Sequence, residues 1–205
     1  MRKKGLCALM ISLCLLVSCG HGTEETQTAE QLALEIRTEL LGMTACTTTA
    51  KLTADYGQRV YECTLDAAYS AETGGTMTVV EPALIAGVTV RIAPGSSVLE
   101  YDGISLETGP LTDSGLTPVG ALPALLAYGR NGYISQCGFE TRDEQLLLRV
   151  FYTDPEGTPG EGTEGALWFG VATHNPVAAE LYENGELVLG CDFTAFERTS
   201  APAAG

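Results

Sequence analysis

Seven cysteines and two histidines are the side chains in this 205-residue chain best suited to nucleophilic or metal chemistry. Cys7 and Cys14 lie in an N-terminal apolar run and Cys19 ends it, which leaves Cys46, Cys63, Cys137 and Cys191 for the body of the protein. An even set of cysteines in an exported chain suggests disulfides whose connectivity the sequence leaves open. Cys46 and Cys63 flank the turn signal Asp55-Tyr56-Gly57, so a hairpin would face them. The expected pairs are Cys46 with Cys63, and Cys137 with Cys191. There is no Cys-x-x-Cys, and His21 and His174 stand alone, so no metal site is expected.

Other chemistries find few of their parts. Neither Gly95-Ser96-Ser97 nor Asp113-Ser114-Gly115 has the strained Gly-x-Ser-x-Gly form of a hydrolase elbow. His174 lies in Thr173-His174-Asn175-Pro176, which reads as a surface turn rather than a general base. The 24 glycines sit at turns, and none opens a phosphate loop. The acidic stretch from Asp154 to Glu164 lacks the ligand spacing of an ordered calcium loop and reads as a solvated hairpin loop. A glycosidase needs only two facing carboxylates, and the 26 acidic residues leave such a pair open. Trp168 alternates with apolar neighbours and reads as core rather than as a sugar platform. No catalytic residue, cofactor or enzymatic activity is expected. A formal charge of -15 excludes nucleic acid held through its phosphates, and gives no attraction to anionic headgroups.

The N-terminus carries the most specific signal. Arg2, Lys3 and Lys4 precede an apolar run from Gly5 to Val17, too short to span a bilayer but suited to export. Leu16-Val17-Ser18-Cys19 resembles the bacterial lipoprotein signal. That resemblance implies cleavage before Cys19 and a lipid on its sulfur, anchoring the protein at the outer face of the cytoplasmic membrane. Residues 1–18 are then a signal peptide and 19–28 a lipidated flexible tether. Residues 29–199 form the domain, and 200–205 a disordered tail.

The remaining pattern says what the domain is built from. Ala29, Leu32, Ala33, Ile36 and Leu40 recur at helical spacing up to Gly42. From Met43 onward the composition turns to Thr, Val, Tyr and Ile, with turn signals at short intervals. Strands are expected at Thr44 to Thr53, Arg59 to Tyr69, Thr76 to Val80, Ala83 to Ile92, Ser97 to Tyr101 and Ile104 to Glu107. Further strands follow at Tyr133 to Glu140, Leu146 to Thr153, Ala166 to Ala172, Val177 to Glu183 and Glu186 to Phe193. Asp102-Gly103 and Asn184-Gly185 mark tight hairpins. So many strands cannot share one flat face, and a long antiparallel sheet curved into an unclosed barrel is expected: a mainly β, α+β fold. Thr117 and Pro118 open a second, short helix that Pro123 should kink. Val119, Leu122, Leu125, Leu126 and Tyr128 would make it a lid lining the hollow of the sheet.

The order of these parts resembles the lipoprotein-carrier (LolA-like) superfamily, nearest its Gram-positive germination and sporulation lipoproteins. The stretches that carry the resemblance are Thr53 to Tyr61, Val80 to Val88, Tyr101-Asp102-Gly103, Leu116-Thr117-Pro118 with Leu122-Pro123, and Ala166 to Phe169 followed by Asn175-Pro176-Val177 and Glu180. It implies a half-barrel whose hollow takes a lipid or acyl chain. In other members the hollow is filled by the protein's own side chains, which implies instead an anchored partner or regulator of an envelope or spore-cortex enzyme. Tethering is at odds with a soluble shuttle between two membranes.

Overall fold

The computed structural model describes residues 27–70, 72–109 and 115–200. Cys19, most of the tether and the tail beyond Ser200 lie outside the described residues.

Helix α1 (Ala29–Gly42) starts where the Thr28 hydroxyl accepts the Gln31 amide and the Gln31 side chain accepts the Thr28 amide. This reciprocal cap satisfies two amides that the first turn leaves without partners. Its buried stripe is Leu32, Ala33, Ile36 and Leu40. The chain then forms a meander: β1 (Met43–Asp55), β2 (Val60–Ser70), β3 (Gly74–Glu81), β4 (Thr89–Ala93), β5 (Ser96–Tyr101) and β6 (Ile104–Glu107). Helix α2 (Pro118–Asn131) follows, capped by the Thr117 hydroxyl on the Gly120 amide, and continues through Pro123. A second meander comprises β7 (Tyr133–Arg142), β8 (Gln145–Thr153), β9 (Thr163–Gly170), β10 (Pro176–Glu183) and β11 (Glu186–Ser200).

The eleven strands of the described residues make one antiparallel sheet in the order β6-β5-β4-β3-β2-β1-β11-β10-β9-β8-β7. The two meanders are joined by the pairing of the longest strands, β1 and β11. The ends of the order, β6 and β7, do not pair with each other, so the barrel stays open as the sequence leads one to expect. A register shift at Thr49/Ala50 in the central pair adds the twist and bend that let so wide a sheet curl.

Alternation of side chains separates the two faces. The inner face and both helices share one core, with Leu52, Leu148, Leu181 and Leu189 from the sheet meeting Ile36, Leu40, Leu122 and Leu125. The outer face carries a smaller cluster around Leu147, Ala166, Trp168 and Ala178. There the guanidiniums of Arg142 and Arg149 lie over the Trp168 ring at 5.5 and 5.4 Å. Trp168 is thus packed, but on the outer wall.

The strand expected from Ala83 to Ile92 is corrected. Residues 82–88 form a turn held by the Ile85 amide on Pro82 O and the Gly87 amide on Val79 O, and β4 begins only at Thr89. Pro82 has no amide to offer a ladder, and Gly87 takes a positive φ of 88° that breaks strand geometry.

Candidate ligand-binding cavity

The two helices divide the hollow of the sheet unequally. Over β8 to β11 they fill it. Ala121, Leu122, Leu125 and Leu126 are buried in the shared core, and Tyr128 packs on Tyr152 with ring centroids 5.9 Å apart. The Tyr128 hydroxyl donates to Thr163 O at 3.1 Å. Two glycines permit this close approach. A Cβ on Gly129 would meet Leu40 Cδ1 at 2.8 Å, and one on Gly165 would meet the Tyr128 ring at 3.0 Å.

Over β2 to β5 the helices withdraw and the hollow is open. A cavity of about 750 Å³ lies there, its floor made by inward-facing residues of adjacent strands. Leu65 pairs with Val79, Met77 with Val90, and Val90 with Leu99, so period-two alternation across four strands produces a continuous apolar wall. The rim is supplied by Pro118 and Val119 at the start of α2, and by Leu84, Ile85 and Val88 in the β3–β4 turn. Tyr56 and Tyr61 stand at the mouth with ring centroids 5.9 Å apart. The Tyr56 hydroxyl donates to Leu116 O at 2.7 Å, which ties the β1–β2 turn to the entry of α2. Burial, with the nearby Tyr61 and Cys63, holds that phenol above its ordinary pKa. Glu62 is the one charged residue on the lining, and its carboxylate lies 4.0 Å from Lys51 Nζ.

Of the residues expected to line a hollow beneath the lid, Val119 borders the open cavity. Leu122, Leu125, Leu126 and Tyr128 belong instead to the packed half. The turn of the helix decides this: Val119 sits in its first turn, facing β2 to β5, and the later residues lie over the other meander.

The expected disulfides are corrected. All four described cysteines are free. Cys46 pairs across β1–β2 with Tyr69, while Cys63 pairs with Leu52, so the two cysteines are about 20 Å out of register. Cys137 and Cys191 share one inner row, Cys137-Val150-Leu167-Ala179-Cys191-Leu52-Cys63, but are separated by the three strands β8, β9 and β10. Cys191 and Cys63 flank β1 at about 10 Å, beyond the roughly 7 Å Cα separation a disulfide spans. Burial raises the Cys46 thiol to about 11, with Arg130 acting against it, and pushes Cys191 up further still. Cys63 faces the cavity, and burial raises its thiol too.

His174 does occupy a turn, with φ 57°, yet its ring is engaged. Its Nδ1 lies 2.9 Å from Glu39 Oε1, and Arg198 reaches the other oxygen at 2.7 Å. Burial alone would raise the Glu39 carboxyl, but the His174 hydrogen bond and the Arg198 charge outweigh it and hold the group below its ordinary value. Glu35 is close enough for Glu35, Glu39 and His174 to offer ligand atoms within 4.8 Å of one another. The guanidinium on Glu39 opposes a cation there, and the group acts as a clamp of α1 onto β11 and the β9–β10 turn. No sequence signal announces it, because Glu39 lies more than a hundred residues before His174 and Arg198. In the acidic loop, Asp154 accepts the Glu156 amide and Glu164 accepts the Gly160 amide, so these carboxylates cap their own turns.

Among the described residues, no helix is long and apolar enough to cross a membrane. No protein-family model matches the sequence, and no curated protein matches it. Solved structures do resemble it. An uncharacterized conserved protein from Thermus thermophilus aligns with a TM-score of 0.50 at 10% identity, over 85% of this chain and 90% of that one. A LolA superfamily protein from Nitrosomonas europaea aligns at 0.44 and 15% identity, over 85% and 95% of the two chains. A putative outer membrane lipoprotein-sorting protein domain from Vibrio parahaemolyticus aligns at 0.44 and 12% identity, over 83% and 92%. The Thermus likeness is one of fold.

Proposed function

We propose that the protein is a lipoprotein of the cell envelope that binds an apolar ligand, an acyl chain or lipid, in the cavity over β2 to β5. Its Cys19 carries the lipid that holds it at the outer face of the cytoplasmic membrane. It binds and presents its ligand and performs no reaction on it. The observation that carries this reading is the contrast within one hollow. Side chains pack one half solid, while the other keeps about 750 Å³ open between walls of Leu, Val, Ile and Met. That volume lies in the range of about 300–1,000 Å³ typical of small-molecule pockets. Open apolar surface of this extent loses free energy in water, and a ligand's hydrocarbon removes that cost.

A second reading rests on the strands at each end of the sheet, each with one edge unpaired among the described residues. The β7 edge is ten residues long, and an extended segment of another envelope protein, such as a cortex enzyme of the kind the sequence resemblance suggests, could add to it. Solvent extraction and mass spectrometry of the purified full chain separate the two. About one equivalent of co-purifying lipid per chain, lost when the cavity wall is made polar, supports the ligand reading. An empty protein that crosslinks through β7 to a single envelope protein supports the other.

A further inference from the structure

Exposed apolar side chains stand along the β3–β4 and β6 side of the cavity mouth, and their placement says what that side faces. Leu84, at the β3–β4 turn, is 87% exposed, and Ile104 and Leu106 on β6 are 72% and 60% exposed. Leu106 pairs with Leu99, and Ile104 with Tyr101. Since Leu99 lines the cavity, alternation puts Leu106 and Ile104 on the same inner face. The apolar surface therefore runs without a break from the cavity floor across β5 and β6 to the free edge. In a meander, alternate turns lie at one end, so the β1–β2, β3–β4 and β5–β6 turns project together. The β3–β4 turn, Pro82 to Val88, contains no charged residue.

We propose that this rim inserts into the interfacial layer of a lipid bilayer, so that the cavity opens onto the membrane and an acyl chain enters without crossing water. The proposal rests on the ligand-binding reading above. Separate aliphatic side chains projecting from a turn and from an edge strand, flanked by the hydroxyl-bearing rings of Tyr56, Tyr61 and Tyr101, suit a surface that is apolar below and wet above. The chain between Cys19 and the first described residue, Gln27, reaches about 30 Å at most, so a lipid on Cys19 keeps the domain near the bilayer. The net charge of -15 selects a neutral or zwitterionic surface over an anionic one.

The chain's only tryptophan, Trp168, is buried on the outer face, so an added indole reports its own surroundings. The full chain is reconstituted into phosphatidylcholine vesicles whose acyl chains carry bromine, with Leu84→Trp, Ile104→Trp or, as comparator, Leu34→Trp on the exposed side of α1. Insertion about 5–10 Å deep quenches the indoles at 84 and 104 at least ~3-fold more than the one at 34. Equal quenching at all three positions overturns the proposal. A blue shift at 104 that follows protein concentration, without bromine quenching, overturns it in favour of a second copy paired on β6. Binding of N-phenylnaphthylamine in detergent-free buffer, with no bilayer present, reads the cavity separately, so a failed rim leaves the ligand reading testable.

Discussion

Replacing Val79 separates ligand binding from folding. Val79 is half-buried on β3, opposite Leu65, and faces the cavity. In Val79→Thr a hydroxyl replaces a methyl at nearly constant shape. While the cavity is open, water solvates that hydroxyl, so folding changes by no more than about 1 kcal/mol. A bound hydrocarbon strips the water and offers no partner, a cost of about 1–3 kcal/mol. At 1.4 kcal/mol per decade this weakens binding roughly 5- to 150-fold. Val79→Asp, which buries a carboxylate, weakens it further. Val177→Thr, on the outer face beside Trp168, leaves binding unchanged. Titration with N-phenylnaphthylamine gives the Kd, and thermal melts of the same samples report folding. A Kd within about twofold of wild type for both Val79 variants, with folding intact, refutes the assignment of the ligand to this wall.

Three further outcomes are expected. Ile36→Ala, in the packed half, loses about 2–5 kcal/mol and lowers Tm by roughly 5–15 °C, read by calorimetry. The Glu39 carboxyl is held below its ordinary value, so its contribution is present above the unfolded carboxylate pKa and lost as pH falls through the lower folded one; Glu39→Gln flattens the acid limb of a Tm-against-pH curve. Alkylation under denaturing, non-reducing conditions labels Cys46, Cys63, Cys137 and Cys191 all as free thiols, and in the native protein Cys191 reacts slowest.

Local signals in the sequence account for most of the architecture. Asp102-Gly103 and Asn184-Gly185 form the hairpins their positive φ values favour, and Thr28 and Thr117 cap the two helices. In each case the physical cause acts over a few residues. The disulfide pairing failed because a turn signal fixes where a chain reverses, not which residues end up opposite each other. One residue of slip changes every partner, and Cys46 and Cys63 are six residues out of register. The Glu39, His174 and Arg198 clamp joins three elements that only the whole sheet brings together. The position of the cavity was hidden for a related reason. Apolar residues on a lid look the same whether they fill a hollow or roof an empty one, and the outcome depended on Gly129 and Gly165 letting α2 settle onto one half alone.

Photocrosslinking with a diazirine-bearing acyl chain, followed by peptide mapping on the full chain, tests the central claim most directly. Labels should fall on Leu65, Val79, Leu99 and Val119, and not on Leu125 or Leu126 of the packed half. Labels spread over the outer face, or confined to the region under α1 and α2, would contradict it.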